Sequence, residues 1–334
     1  MKTLAVSASE PPPATKRGHA LRRAWVASSA WVGRVILRAW PVRFGKVFLW
    51  RVINRLNSRL GVELVATARW GGRFLCSLRD LVQSRIYYTG VWEPSLTEFI
   101  RRRMGPGDVF VDIGANVGYF TVLAARLVGA AGRVIAIEAS PRIHARLVDN
   151  VRRNDLSNVV THNCAVSDVA GKAELFAAGE TNVGHTSLIA GEGGVSEGLV
   201  EMQPIDRILT NDELHQAKMI KIDVEGFEGP VLQSLLAHAA ELRDDVEIVV
   251  ELAPAELARF GMSAEQVLAD MSGAGFRALE LHNSYDWDAW HDTSPHPLVP
   301  LSAVPTQQVD LVFTRDRKPI RRVSRAVMES TARH

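Results

Sequence analysis

Acidic side chains end four separate apolar segments of the sequence. Asp112 ends V-F-V-D, Glu138 ends V-I-A-I-E, Asp223 ends M-I-K-I-D and Glu251 ends E-I-V-V-E. Such runs are typical of strands that are buried on both faces of a parallel sheet. The carboxyl ends of these strands lie along one edge, where open α/β sheets bind their ligands. We therefore predict that four carboxylates converge there, able to accept hydrogen bonds and to remove a proton.

A glycine-rich turn directly follows the first of these acids. Residues 112–118 read D-I-G-A-N-V-G and lead into an amphipathic stretch, Tyr119–Val128. Glycines let the backbone approach a ligand closely, and the N-terminus of the following helix faces that ligand. Glu138 ends the next strand, where a carboxylate can accept both hydroxyls of a ribose. This strand–turn–helix unit predicts a nucleoside-containing cofactor.

The spacing of the glycines argues against a dinucleotide. An NAD or FAD fingerprint needs G-x-G-x-x-G, but Asn116 and Tyr119 occupy its second and third glycine positions. The sequence also contains no G-x-x-x-x-G-K-[ST] phosphate loop. A cofactor with a ribose and no phosphate fits better, and S-adenosylmethionine is the commonest such molecule. The alternative interpretation is a generic α/β turn without a ligand.

Further motifs follow in a characteristic order. They are G-V-W-E-P at 90–94, D-I-G-A-N-V-G-Y-F-T at 112–121, E-A-S-P at 138–141, N-V-G-H-T-S-L at 182–188 and K-I-D-V-E-G-F-E at 221–228. Together they resemble the FkbM family of S-adenosylmethionine-dependent methyltransferases, over roughly Asp80 to Arg315. The resemblance implies an α/β, Rossmann-like class I methyltransferase fold. In that fold, helices cover both faces of a seven-stranded, mostly parallel sheet whose last strand is antiparallel.

The cofactor site can be assigned on this fold. Asp112 would orient the turn or meet the ammonium group, and Glu138 would accept the ribose hydroxyls. The turn itself would line the methionine and ribose parts through Gly114, Ala115, Asn116 and Gly118. Related methyltransferases often place an aspartate after the third strand for adenine, but Cys164 and Ala165 stand there. Adenine recognition is therefore predicted to use the backbone of Ala165, with Asn163 or Asp168 as substitutes.

Methyl transfer to a hydroxyl needs a positioned acceptor and a group that removes its proton. The candidates for that group are Asp223, Glu225, Glu251 and His185. Asp223 is expected nearest the methyl group, whereas a lone loop histidine such as His185 is more often merely solvated. Glu225 and Lys221 could instead form a salt bridge that shapes the loop. Two carboxylates in D-V-E-G are thin support for a divalent cation, so no metal is predicted.

The resemblance suggests a small-molecule acceptor, or one linked to a glycan or lipid. The methylated hydroxyl would belong to a sugar, a glycolipid or a polyketide-like metabolite. Nucleic acid is not expected, because D-V-E-G stands where amino-methylating DNA enzymes carry an Asn/Asp-Pro-Pro-aromatic loop. The alternative function is a noncatalytic, membrane-peripheral binding module that retains the cofactor fold. The intact set of acids disfavours that alternative.

The first sixty residues are strongly basic. They contain twelve Lys or Arg and one acid, Glu10, so they carry +11 in a chain whose net charge is +2. The remainder is thus acidic, which also disfavours a nucleic-acid acceptor. Four tryptophans lie in this segment: Trp25, Trp31, Trp40 and Trp50. One helical face of the segment is apolar, formed by Leu49, Val52, Ile53, Leu56 and Leu60.

Two interpretations of this basic segment remain open. A basic amphipathic helix with aromatic residues suits an anionic membrane, so residues 20–60 would contact a bilayer peripherally. Alternatively, the helix packs on the catalytic domain with its arginines solvated. Basic residues interrupt each apolar stretch long enough to cross a bilayer, and Glu10 with Pro11–Pro13 does not suit a secretory signal. We expect a cytoplasmic protein, with peripheral contact at the inner face of the membrane under the first interpretation.

Alternating strands and helices predict the parallel sheet. Strands are expected at Val109–Val111, Val134–Ile137, Val159–Asn163, Met219–Ile222, Glu247–Val250, Arg277–Leu281 and Gln308–Phe313. Helices are expected at Tyr119–Val128, Pro141–Asn154, Pro230–Ala240 and Ala264–Ser272. A hairpin is predicted within Gly61–Leu78 and a long loop over Glu180–Val200. The predicted organisation has four parts: a basic extension whose first fifteen or so residues are disordered (1–60), a hairpin and helical lead-in (61–104), the catalytic domain (105–315) and a basic tail (316–334).

Overall fold

The computed structural model describes residues 16–39, 45–58, 61–177, 186–187, 194–283 and 297–315. Three predictions lie outside these ranges. They concern the disorder of the first fifteen residues, the conformation of the basic tail and the position of His185.

The described residues form fourteen strands and eleven α-helices. The strands are β1 (Glu63–Thr67), β2 (Arg73–Ser77), β3 (Val109–Ile113), β4 (Arg133–Ile137), β5 (Val159–His162), β6 (Ala165–Val166), β7 (Gly171–Ala177), β8 (Thr186–Ser187), β9 (Val195–Gln203), β10 (Ala217–Ile222), β11 (Glu247–Leu252), β12 (Arg277–Leu281), β13 (Val299–Pro300) and β14 (Val309–Thr314). The helices are α1 (Lys16–Ala39), α2 (Lys46–Ser58), α3 (Leu81–Thr89), α4 (Pro94–Arg103), α5 (Tyr119–Val128), α6 (Pro141–Arg153), α7 (Ile205–Ile208), α8 (Asn211–Gln216), α9 (Glu228–Leu236), α10 (Pro254–Leu257) and α11 (Ala264–Gly273).

The largest sheet has eight strands in the order β13-β12-β14-β11-β10-β3-β4-β5. Strands β5, β4, β3, β10 and β11 run parallel, and β14 pairs antiparallel with both β11 and β12. The predicted Rossmann-like sheet of seven mostly parallel strands with an antiparallel last strand is confirmed. The two-residue β13 is added at one edge. The chain moves outward from β3 to β5 and returns to β10 on the other side, so strand order reverses between β3 and β10.

Two apolar cores flank this sheet because successive strand residues point to opposite faces. In β3, Phe110 packs into the core that contains α4 and α5, while Val109, Val111 and Ile113 pack into the core of α9 and α11. All five residues of β3 are buried. The continuous apolar run read from the sequence therefore reflects helices on both faces, which hold the carboxyl edge of the sheet in place.

The predicted core elements are present with small shifts at their ends. All seven predicted strands occur, and their ends agree within two residues. Helix α9 ends four residues before the predicted Ala240, because a separate 3-10 turn covers Ala239–Glu241. Ser263 caps the N-terminus of α11, since its hydroxyl accepts a hydrogen bond from the Gln266 backbone N–H at 3.2 Å. The predicted hairpin is β1–β2.

A second sheet, in the order β6-β9-β7-β8, corrects the described part of the loop predicted over Glu180–Val200, namely residues 186–187 and 194–200. Residues 195–203 form β9, which pairs antiparallel with β7 through a register shift between Leu175 and Phe176. Most β9 side chains are exposed, and only Val200 is buried. Because β9 lacks a regular apolar alternation, pairing with β7 rather than burial defines it, and periodicity could not reveal it.

The N-terminal helices α1 and α2 pack on α3 and the β1–β2 hairpin. Val26, Ala30, Leu37 and Trp50 are buried there and join the core shared with α4 and α5. In α2 the predicted apolar face is only half used, because Leu49 and Ile53 pack against this core while Val52 and Leu56 are exposed. None of the helices in the described ranges combines the length and apolar character that a membrane span requires.

Candidate functional site

A cleft opens at the carboxyl edge of the large sheet, where strand order reverses between β3 and β10. The space between its walls, open solvent included, measures about 630 Å³. The turn after β3 forms one wall, and the segment after β10 forms the opposite wall. Residues of β6 and β7 close it from the second sheet. Ligands of open α/β folds bind at this position.

Glycines in the first wall permit two close approaches. Gly114 has a φ of +76°, and a Cβ there would lie 1.8 Å from the carbonyl oxygen of Asp223. The Asp223 backbone N–H in turn donates to the carbonyl oxygen of Ile113 at 3.1 Å. Gly118, with a φ of +85°, begins α5, and a Cβ there would meet Leu147 of α6 at 2.5 Å. The two walls of the cleft are thereby held together by backbone contact.

Glu138 lies at the base of the cleft and is 5% exposed. Its Oε2 accepts a hydrogen bond from the Asn116 backbone N–H and its Oε1 from that of Ser140, both at 2.9 Å. Burial raises the pKa of this carboxyl to about 7, although these two donors favour the anion. Each oxygen has a second lone pair, so the carboxylate can still accept hydroxyl donors from a ligand in the cleft.

Apolar residues form the far end of the cleft, where Ala165, Val166 and Leu175 line it with Cys164. Burial raises the pKa of the Cys164 thiol to about 11, so this thiol is neutral. The side-chain amide of Asn163 donates to the carbonyl oxygens of Glu138 and Ala139, both at 2.9 Å. It therefore fixes the segment after β4. A flat, apolar ring with polar edges fits this end of the cleft.

Lys221 is buried beside the cleft and balances two of the predicted site acids. Its Nζ donates to Asp223 at 2.9 Å and lies 3.9 Å from Oδ1 of Asp112. Burial opposes its charge, but the carboxylates of Asp223, Asp112 and Glu93 raise its pKa above the usual value. Lys221 therefore stays cationic. The sequence allowed a pairing with Glu225, whereas the ion pairs of Lys221 in the structure are with Asp223 and Asp112.

A cluster of acids adjoins this lysine and includes Asp223, which lines the cleft. Glu93, Asp223 and Glu251 each place a carboxylate oxygen within 4.8 Å of the others. Burial and its acidic neighbours raise the pKa of Glu93 well above its usual range and that of Glu251 to about 11. Burial raises the pKa of Asp310, opposite Glu251 in the sheet, to about 7. Both shifts favour the protonated forms of Glu93 and Glu251, while Asp223 accepts the hydrogen bond of Lys221.

The same three oxygens could in principle hold a divalent cation, since carboxylates are its preferred ligands. The sequence predicts no metal, and that stays a prediction.

Three buried acids of this region were not assigned a role from the sequence. Glu93 and Asp310 follow no apolar strand end, so the pattern that identified the other acids passes over them. Glu228 accepts hydrogen bonds from the backbone N–H groups of Val224 and Gly226 at 3.2 and 3.1 Å. It is 1% exposed, and burial raises its pKa to about 7. Glu228 shapes the wall that carries Asp223. Because Glu228 belongs to the motif at 221–228, that motif was the sequence signal that could have identified it.

The sequence profile of the Methyltransferase FkbM domain matches residues 112–278. This match covers half of the chain and includes the glycine-rich turn, Glu138, Asp223 and Glu251. The chain belongs to the FkbM methyltransferase family. The resemblance inferred from the motifs is thereby confirmed.

Curated relatives of this FkbM methyltransferase match over short segments. A 56-residue segment is 38% identical to the arsenite methyltransferase of Halobacterium salinarum, covering 17% of this chain and 14% of that protein. A 64-residue segment is 36% identical to the 23S rRNA (uracil(1939)-C(5))-methyltransferase of Psychrobacter arcticus, covering 17% and 12%. The chain thus spans less than a sixth of the length of the curated relatives it matches.

Solved structures are similar at a low level. The crystal structure of precorrin-6y C5,15-methyltransferase from Geobacter metallireducens is 14% identical, with 66% of this chain and 84% of that chain covered and a TM-score of 0.35. A TM-score of this size does not establish a shared fold. The fold assignment therefore rests on the strand order of the FkbM methyltransferase itself.

The cleft of the FkbM methyltransferase brings six of the predicted residues together: Gly114, Asn116, Glu138, Ala165, Asp223 and Glu225. The carboxylate of Asp112 is turned away, toward Lys221 and the Thr121 hydroxyl, which donates to it at 2.5 Å. Ala115 and Gly118 belong to the same turn without lining the cleft. Glu251 lies in the acidic cluster, and His185 is outside the described residues. The roles of all these residues stay predictions.

Proposed function

We propose that the protein is an S-adenosylmethionine-dependent methyltransferase that acts on a hydroxyl oxygen. One observation carries this proposal. The cleft with the glycine turn and Glu138 opens directly onto Asp223, so a nucleoside site and a carboxylate adjoin each other at the strand-order reversal. Family membership supports methyl transfer as the reaction.

The residues of the cleft fit S-adenosylmethionine. Glu138 is placed to accept the two ribose hydroxyls while it retains its backbone donors. Ala165, Val166 and Leu175 would contact the adenine ring, and the backbone at Gly114 and Asn116 would face the methionine part. Among the described residues that line the cleft there is no Lys or Arg, which suits a ribose without phosphates. When bound, the cofactor supplies an electrophilic methyl group on a sulfonium.

The acids at the mouth of the cleft would position the acceptor. In-line transfer requires the nucleophilic oxygen about 3–3.5 Å from the methyl carbon. Protonated Glu93 and Glu251 would donate hydrogen bonds to acceptor oxygens. Asp223 would take the hydroxyl proton as the oxygen–carbon bond forms, and Lys221 would hold its carboxylate in place. Such polar contacts suit a sugar, a glycolipid or a polyketide-like metabolite as acceptor.

Binding of the cofactor is the primary test. Isothermal titration should show that S-adenosylmethionine and S-adenosylhomocysteine bind, and that NAD does not. Glu138→Ala should weaken the binding by about 1.5–3 kcal/mol, the usual worth of hydrogen bonds to a charged group. This loss is roughly 10- to 150-fold in Kd. Glu138→Gln, which keeps the shape and an acceptor for the turn, separates loss of the charge from collapse of the turn.

The matched control is Glu265→Ala, an exposed acid in the first turn of α11. It should bind the cofactor like the unmodified protein. Unchanged affinity in folded Glu138→Ala would show that the ribose lies elsewhere. Cofactor binding without any labelled methyl product, in extracts that supply sugars, lipids and metabolites, would instead favour a noncatalytic binding module.

A further inference from the structure

The N-terminal helical hairpin, α1 with α2, presents an apolar face to solvent. Its exposed residues are Trp25, Trp31, Val32, Val35, Ile36, Phe48, Val52 and Leu56. Phe48, Val52 and Leu56 recur at four-residue intervals, so they share one face of α2. Ile36 lies four residues after Val32 on α1, and Trp25 lies seven residues before Val32, which places them on one face as well. Single exposed apolar residues are ordinary, but several on one side of each helix indicate an interaction surface.

Packing on the inner side fixes the direction of this face. Gly33 of α1 lies against Ile53 of α2, and a Cβ on Gly33 would lie 2.6 Å from the Ile53 side chain. Ser29 donates to Asn57 at 2.6 Å, and Asn57 donates to the Tyr88 hydroxyl of α3 at 3.3 Å. The hairpin is thus attached to α3 through these polar contacts. Its exposed apolar residues occupy the helix sides away from α3.

Positive charge accompanies the apolar face. Residues 16–58 contain ten Lys or Arg and no Asp or Glu. On α2, Arg51 and Arg55 are exposed and lie beside Phe48, Val52 and Leu56 in the helical sequence. The surface therefore combines aromatic and aliphatic side chains with cations at its border. Amphipathic helices that lie in the interface of anionic bilayers have this combination.

The charge also discriminates between possible occupants of the face. A second copy of the chain would bring another ten cations without acids to the same surface. The segment 316–334, which lies outside the described residues, contains six Lys or Arg and two acids, so it too is positive. Nucleic acid would neutralise the charge of the arginines but would leave the tryptophans and Phe48 exposed to water. An anionic bilayer satisfies both, because its headgroups attract arginine and its interface accepts tryptophan.

We propose that this outer face of the α1–α2 hairpin docks the protein on an anionic lipid bilayer, with Trp25, Trp31 and Phe48 inserted at the interface. This docking is independent of the proposed methyl transfer, because the cleft and the outer face share no residue. The face also explains why α2 leaves Val52 and Leu56 unused in the core. Helix α3 then connects the hairpin to Glu93 at the mouth of the cleft.

Sedimentation of the full chain with lipid vesicles tests the docking. The protein should sediment with vesicles of phosphatidylglycerol and phosphatidylcholine, remain in solution with phosphatidylcholine alone, and be released at 1 M salt, roughly where screening reaches ~3 Å. The double variant Phe48→Ser/Leu56→Ser should bind the anionic vesicles at least tenfold more weakly. Arg55→Glu should do the same at low salt.

Matched controls come from exposed residues elsewhere in the fold. Val195→Ser/Leu199→Ser removes two equally exposed apolar side chains from β9, and Arg207→Glu reverses an exposed charge on α7. Both should bind vesicles like the unmodified protein, and all variants should keep its melting temperature and cofactor affinity. The proposal is overturned if the unmodified protein ignores anionic vesicles, or if the hairpin and control variants bind alike. It is also overturned if sedimentation velocity reveals a dimer that only Phe48→Ser/Leu56→Ser disrupts.

Discussion

The charges around Lys221 bear on which acid we propose as the base. Carboxyl groups of Asp112, Asp223, Glu93 and Asp310 interact electrostatically with this buried cation, and Glu251 adjoins Asp223 and Glu93. Burial and acidic neighbours raise the pKa values of Glu93 and Glu251, which favours their protonated forms. Asp223 accepts a hydrogen bond from Lys221 at 2.9 Å, so the buried ammonium group holds its carboxylate in place. The sequence placed Asp223 and Glu251 on the same rim, but only the packed structure distinguishes their surroundings.

Substitution of these acids separates their roles. In Asp223→Asn the shape is kept and the negative charge is lost, so turnover should fall at least a hundredfold, as for removal of a general base. Affinity for S-adenosylmethionine should change little, the signature of a transition-state role. Glu251→Gln is the matched control, because a protonated acid already resembles an amide; its turnover should stay within about threefold. Incorporation of labelled methyl groups and isothermal titration measure the two quantities.

Loss of turnover in Glu251→Gln, with turnover retained in Asp223→Asn, would place the base at Glu251. If both variants retain turnover, neither acid takes part in the proton transfer. A loss of turnover on treatment with a chelator, restored by an added divalent cation, would show that Glu93, Asp223 and Glu251 hold a metal.

The sequence predicted those helices and strands whose buried residues follow a regular pattern. Strand β3 lies between two helix layers, so its continuous apolar run gave a clear signal. Strand β9 is mostly exposed and depends on pairing with β7, which no local pattern records. Helix α2 carries an apolar stripe, but part of the stripe faces the core and part faces solvent. Periodicity identifies the apolar face of a helix, but it does not tell whether protein or solvent covers that face.

Adjacent residues of α1 allow a test of how strongly the hairpin is attached. Leu37 is 3% exposed and lies in the shared core, whereas its neighbour Ile36 is 37% exposed on the outer face. Leu37→Ala should lower the free energy of unfolding by about 2–5 kcal/mol, the usual cost of truncating a buried leucine. Ile36→Ala should cost less than about 1 kcal/mol. Urea denaturation of both variants gives the comparison, and equal costs would mean that α1 is not packed as described.

At the scale of the whole molecule, buried acids make stability depend on pH. Glu138, Glu228 and Asp310 have pKa values raised to about 7 in the folded protein by burial. Their unfolded values lie near 4. The folded state therefore binds more protons, and the stability that these groups contribute is present at low pH and lost as pH rises through 7. The acidic character of residues 61–334 was readable from the sequence. Which acids are buried was not, because burial comes from contacts between distant segments.

Glu228→Gln tests one of these acids, and Glu228 does not line the cleft. Glutamine keeps an acceptor for the backbone N–H groups of Val224 and Gly226 and has no charge to desolvate. A raised pKa of this size corresponds to about 3 kcal/mol when the group is fully ionised. The melting temperature of the variant relative to the unmodified protein should therefore increase between pH 5 and pH 8.5. A difference that is constant across this range would show that Glu228 ionises freely in the folded protein.

The contact between Gly114 and the Asp223 carbonyl oxygen restricts how the enzyme can diversify. A single added methyl group at Gly114 would meet the backbone of the segment that carries Asp223. Under the proposed function, a change in the wall that faces the donor would therefore also move the wall that faces the acceptor. Under the same proposal, a change of acceptor preference is better sought at residues outside this contact than at Gly114 or Asp223.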